Sequence, residues 1–270
     1  MKKLLSLTLI LILSAGIFTR CKKDPGDPPG LPPQESLTID FSNFATQKKS
    51  GDLVFDQKGT ENSNWEFAAT VAGVWKLLIT TTLAIPITSF KLAVDQDPVY
   101  LDDKTWQWSY SVSVADATYK ARLTGQISTS DILWKMYIAK EGTGGFPEFI
   151  WLEGTSKLDG TGGQWILNQS SDSKLAMLQI DWTKTGTSIG SVKYTYMKND
   201  SFKTSYIEYG LTTSTLNAYY TIHYYNGVKF SDLNVEWNTT TYNGRVKCLD
   251  YLGDDEWYCW DANKINIICP

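Results

Sequence analysis

The stretch "WQWSYSVSV", Trp106 to Val114, alternates without a break. Trp106, Trp108, Tyr110, Val112 and Val114 share one face; Gln107, Ser109, Ser111 and Ser113 share the other. Side chains of an extended chain point to opposite sides with period two, so the pattern predicts a half-buried β-strand. Working outward, "ATYKARLTGQIS" repeats it with Tyr119, Ala121, Leu123 and Ile127, and "DILWKMYIAKE" with Ile132, Trp134, Met136 and Ile138. Similar runs surround residues 149–152, 165–167, 178–182, 192–196, 206–211, 219–225 and 233–237. Between them lie "EGTGG", "LDGTGG", "QSSDS", "KTGTS", "MKNDS", "YYNGV" and "TYNGR". Turn signals every ~8–15 residues predict a mainly β chain, an antiparallel meander forming a barrel, half-barrel or sandwich. Parallel pairing needs crossover helices between strands, and this region shows none.

One segment upstream departs from period two. In "SNWEFAATVAGVWKLLITTTLAIP", Glu66, Thr70, Lys76, Thr80 and Thr81 fall in one stripe at 100° per residue. Phe67, Ala68, Val71, Ala72, Val74, Trp75, Leu78 and Ile79 fall opposite. This predicts an amphipathic helix with Ser63 or Asn64 as N-cap and Pro86 as its stop, and a second helical piece through Phe90 and Val94. The polar stripe carries Lys76 but no cluster of basic residues, so the helix is expected to cover or plug the sheet rather than enter a membrane.

The chain has 270 residues and a formal net charge of −4, without a basic stripe, which argues against nucleic-acid binding. Its start is different in kind. Lys2 and Lys3 precede an apolar run from Leu4 to Phe18, too short for the ~17–25 residues of a spanning helix but suited to a signal peptide. Phe18-Thr19-Arg20-Cys21 follows, then Lys22-Lys23-Asp24. This junction resembles the lipoprotein signal peptides of Bacteroidetes-type bacteria, although Arg20 stands where a small residue is usual. The resemblance implies a diacylglyceryl group on the Cys21 sulfur and cleavage that makes Cys21 the first residue. It also implies attachment to the cell envelope at the outer membrane. Pro25, Pro28, Pro29, Pro32 and Pro33 then form an extended spacer. The expected organisation is a signal peptide over 1–20, a lipidated cysteine and tether over 21–36, and one β-rich domain over 37–270.

A helix followed by a long meander is similar in architecture to the half-barrel of periplasmic lipoprotein carriers and to lipocalin-type barrels. That likeness implies a ligand inside the curved sheet, among inward-facing aromatics.

Catalytic chemistry has few places to sit. His223 is the only histidine, in the strand-like "YYTIHYYN", so zinc sites built on histidine pairs are excluded and a structural role is expected. Glu148, Glu153, Asp181, Glu208 and Glu236 are the acids best placed for a carboxylate pair, and solvated surface is their expected role. Asp254-Asp255-Glu256 beside Gly253 reads as a turn rather than a metal site. No cofactor is expected.

Three cysteines close the chain in "CLDYLGDDEWYCWDANKINIIC". A two-residue Gly253-Asp254 turn sets Cys248 opposite Cys259 at a hydrogen-bonded position, where side chains stand too far apart for a bridge. A return at residues 261–264 sets Cys259 opposite Cys269. The expected disulfide is therefore Cys259–Cys269 with Cys248 a buried thiol, and a longer Gly253 loop reverses that choice.

Together these features point to a lipid-anchored, non-catalytic envelope protein that binds an apolar or glycan ligand, or a partner protein. A carboxylate-dependent polysaccharide hydrolase is the second reading, and a structural subunit of an outer-membrane assembly the third. Eleven tryptophans and fifteen tyrosines suit sugar stacking and core packing equally.

Overall fold

Each alternating run becomes a strand, and each strand pairs with the next in sequence. The computed structural model describes residues 26–44, 60–114 and 116–270; Cys21 and the leader lie outside them. The strands are β1 (Val99–Tyr100), β2 (Thr105–Val114), β3 (Ala117–Ile127), β4 (Asp131–Lys140), β5 (Phe146–Lys157), β6 (Gly162–Asn168) and β7 (Ala176–Thr185). They continue as β8 (Ser188–Tyr196), β9 (Tyr206–Leu211), β10 (Ala218–Tyr225), β11 (Phe230–Trp237), β12 (Gly244–Lys247), β13 (Tyr258–Trp260) and β14 (Asn266–Ile267). All fourteen form one antiparallel sheet in sequence order, with β1 and β14 as unpaired edges. The sheet is open rather than closed, which fits a half-barrel or a sandwich.

Helix α1 (Ser63–Ala93) closes the curl from within. It packs on β2 and β3 near one edge and on β12, β13 and β14 near the other. Nine of the eleven tryptophans are buried, all but Trp151 and Trp257, and those of the sheet face the helix side. Fully burying an apolar side chain contributes roughly 1.5–3 kcal/mol, so this aromatic interior is the main stabilising feature. The volume where a carrier would hold its ligand is thus taken by α1 and by indole rings.

Indoles of this size fit because small residues face them. Across five neighbouring strands the inward row reads Trp106, Gly125, Trp134, Gly154, Trp165. A Cβ on Gly125 would stand 2.5 Å from the Trp134 ring. Two indole N–H groups of this row find partners as well: Trp134 Nε1 donates to Ser156 Oγ at 2.8 Å and Trp165 Nε1 to Ser36 Oγ at 3.2 Å.

Three expectations need correction. Pro86 lies inside α1 and is buried, so the helix is one piece of 31 residues rather than two. A proline inside a helix costs about 3 kcal/mol. Packing outweighs that cost, because Leu83, Phe90 and Ala93 on the same face are buried, with Phe90 5.6 Å from Trp165. Thr80, Thr81 and Thr82 lie within the helix and satisfy their hydroxyls by donating Oγ1–H to the carbonyls of Lys76, Leu77 and Leu78 at 2.7–2.8 Å. Val74, placed on the apolar side, is 44 % exposed.

Second, the tether does not run free to residue 36. Pro29 and Pro32 are buried, and Ser36 and Leu37 are fully so. Short 3-10 turns at Gln34–Leu37 and Ser42–Phe44 pack this segment against α1, β7 and β8, with Phe44 among the core rings, and the Tyr220 hydroxyl donates to the Asp40 carbonyl. Proline rings have no rotamers to lose and cover apolar surface at little entropic cost, which a compositional reading of the spacer overlooks.

Third, Gly253 makes no two-residue turn. It ends a short helix, α2 (Leu249–Leu252), in the left-handed region at φ 99°. Cys259 therefore pairs with Arg245 and not with Cys248. On its other side Cys259 stands opposite Ile267, and Cys269, two residues on, bonds to it with Cα atoms 5.1 Å apart. Cys248 is a buried free thiol.

Candidate functional site

With the interior filled, the outward face of the sheet holds the remaining chemistry. On β9 to β11 that face is aromatic. Tyr206 lies opposite His223, and His223 opposite Asp232, while Tyr225 lies opposite Phe230. The rings form a continuous series. Tyr206 stacks on His223 at 5.5 Å, and His223 lies nearly parallel to Phe230 at 4.6 Å. Tyr225 meets Phe230 edge-on at 5.5 Å, and Phe202 meets Tyr225 at 5.9 Å. Phe202 is 52 % exposed and Phe230 37 %. Strand alternation sets the faces of Tyr206, His223, Tyr225 and Phe230, and the turn after β8 supplies Phe202.

Polar groups border the rings. His223 Nδ1 is 2.7 Å from Asp232 Oδ1. A carboxylate only accepts, so the imidazole carries its proton on Nδ1 and leaves Nε2 free to accept from a ligand when neutral. Lys193 Nζ sits 3.8 Å over the Tyr206 ring. Burial, then the charges of Asp232 and Glu208, raise the Tyr206 phenol above its ordinary range, so it remains a donor at neutral pH.

The expected carboxylates separate into groups. Glu148 takes two hydrogen bonds from Arg122 at 2.8 and 2.6 Å, which hold its carboxyl below the ordinary range. Glu236 is held by Arg245 at 2.8 and 2.6 Å. Glu153 stands in register between Lys135 and Ile166, away from the other acids. Asp181 and Glu208 are brought together, because both stand in register with Lys193. Asp254 accepts from the Tyr258 hydroxyl at 2.8 Å and Asp255 lies 3.2 Å from Lys247. Among the described residues no group of acids, histidine and cysteines could hold a metal ion.

His223 was legible in the sequence only as a strand residue, and its aromatic company was not. The signal was present in Tyr219, Thr221, His223 and Tyr225 alternating outward. Phe230 and Tyr206 join them only through strand register. Nine of the eleven tryptophans are spent on the core, and Trp151 and Trp257 lie outside the series. Comparison with family models, with curated proteins and with solved structures finds no match to this chain.

Proposed function

We propose that this is a lipid-anchored cell-envelope protein that binds a glycan, without catalysis, on the outward aromatic series of β9 to β11. The observation that carries this is the series itself: Tyr206, His223, Phe230, Tyr225 and Phe202 in unbroken contact on a solvent-facing sheet surface. Sugar rings present apolar C–H faces that pack on aromatic surface, here the outer ring edges and the exposed Phe202 and Phe230, and their hydroxyls need polar partners beside it. His223, Asp232 and Lys193 stand at that edge. An apolar carrier lacks comparable support, since the curl is filled. Lipid attachment at Cys21 is supported by the leader and the Cys-Lys-Lys-Asp junction.

The test is native electrophoresis in gels cast with hydroxyethylcellulose, glycol chitin or polygalacturonate. The protein is expected to be retarded by at least one of them, and Phe230→Ala to lose about five- to a hundredfold in affinity, the ~1–3 kcal/mol of one aromatic contact. Equal migration with and without every polysaccharide would sink the proposal.

One observation favours a hydrolase as the second reading. Asp181 and Glu208 are two strands apart, about 10 Å at ~4.8 Å per strand, close to the spacing of inverting glycosidases. Release of reducing ends from the same polysaccharides, lost in Asp181→Asn, would favour it.

A further inference from the structure

We propose that a hollow beside the aromatic series is a subsite for a neutral, hydroxyl-rich sugar, and that it selects against acidic glycans. This rests on the glycan-binding reading and names the substrate class of the same surface. The hollow has a floor of small residues. Gly162, Thr183, Ser191 and Gly210 occupy one outward cross-strand row over β6 to β9. The Tyr219 ring lies on Gly210, where an added Cβ would come within 2.4 Å of it, and so ends the row. Above Gly162, Thr183 and Ser191 of this row stands a space of about 430 Å³, within the ~300–1,000 Å³ of small-molecule sites.

The wall is the next outward row: Gln164, Asp181, Lys193 and Glu208. Asp181 accepts from Gln164 at 2.7 Å and from Gln179 at 2.8 Å, and Glu208 accepts from Tyr219 at 3.2 Å. Each carboxylate has about four acceptor positions, so both keep capacity to spare. Lys193 lies between them in register, yet its ammonium is on the Tyr206 ring and forms no ion pair among the described residues. With Asp131 also lining the space, carboxylates outnumber the two lysines, Lys157 and Lys193. Such a wall accepts from sugar hydroxyls or amide N–H groups and repels uronate or sulfate.

The hollow joins the aromatic series through Lys193, whose ammonium lies on the Tyr206 ring. One glycan chain lying across the outer edges of the Tyr206 and His223 rings therefore continues over the hollow.

The test compares the full-length protein with the Asp181→Asn, Glu208→Gln double variant in the same gels. Both replacements keep shape and remove charge, and circular dichroism checks the fold. The native chain is expected to bind hydroxyethylcellulose or glycol chitin and not polygalacturonate. The double variant is expected to bind about ten- to a hundredfold more weakly, as for hydrogen bonds to charged groups. Unchanged affinity in the double variant, with Phe230→Ala still weakened, overturns the subsite and leaves glycan binding standing. Preference for polygalacturonate also overturns the subsite. Failure of the native chain to bind any of the three removes the glycan reading and the subsite together.

Discussion

Asn266 closes the amino end of α1 from the far end of the chain. Its Oδ1 accepts from the Asn64 N–H at 3.1 Å, and its Nδ2 donates to the Thr60 carbonyl and to Ser63 Oγ at 3.0 and 3.1 Å. Asn62, the residue that precedes the helix, makes no capping bond of its own. A local search for a cap fails here because the cap is tertiary. The disulfide between Cys259 and Cys269 fastens the strand that carries Asn266. A loop of ten residues gives about 2–3 kcal/mol in the chain-entropy model. Reduction is thus expected to loosen β14 and the start of α1 while the rest of the sheet holds, which hydrogen exchange resolved by peptide would read. Cys248 behaves differently. Burial is the largest influence on its thiol and pushes it up, and the residue is 1 % exposed. Iodoacetamide at pH 8 is expected to leave it unmodified until the chain is unfolded. Alkylation of the native protein at the rate of a free thiol would contradict its burial.

At the scale of elements, the inward row of alternating tryptophan and glycine sets how closely the rings pack on the sheet. A Cβ on Gly154 would stand 2.1 Å from the Gln164 carbonyl oxygen and 2.8 Å from the Trp165 ring. Paired backbone cannot yield, so Gly154→Ala is expected to cost about 2–3 kcal/mol, a fall in Tm of roughly 5–10 °C. Gly73 on α1 has open space around its Cβ position, and Gly73→Ala should instead stabilise by about 0.5–1 kcal/mol. A thermal melt of both variants checks the pair. The strands themselves were legible in the sequence, because period two survives wherever one face is buried and the other wet. The pairing of Gly125 and Gly154 with tryptophans was not, since register depends on loop lengths. Pro86 misled for a related reason: a local stop signal was outweighed by contacts with strands far along the chain.

At the scale of the molecule, the meander has two rims, and they differ. Pro32 and Pro33 lie with Leu158 and Gly160 beside the turn between β5 and β6. Phe202 and the ends of β10 and β11 lie at the opposite rim, because successive strands reverse direction. With Pro29 already buried, the chain from Cys21 to that point spans at most about 25–30 Å. Lipid on Cys21 would thus hold the first rim near a bilayer and turn the aromatic series away from it. Cys21→Ala is expected to move the protein from the membrane pellet to the soluble fraction; a variant that still pellets after a salt wash contradicts the anchor. The central claim, that ligand is bound outside the curl and not within it, is tested most directly by hydroxyl-radical footprinting with and without a retarding polysaccharide. Oxidation of Tyr206, His223, Tyr225 and Phe230 is expected to fall severalfold while that of Tyr100 and Trp257 stays constant. Unchanged oxidation of the four, or protection confined to residues of α1, would contradict the claim.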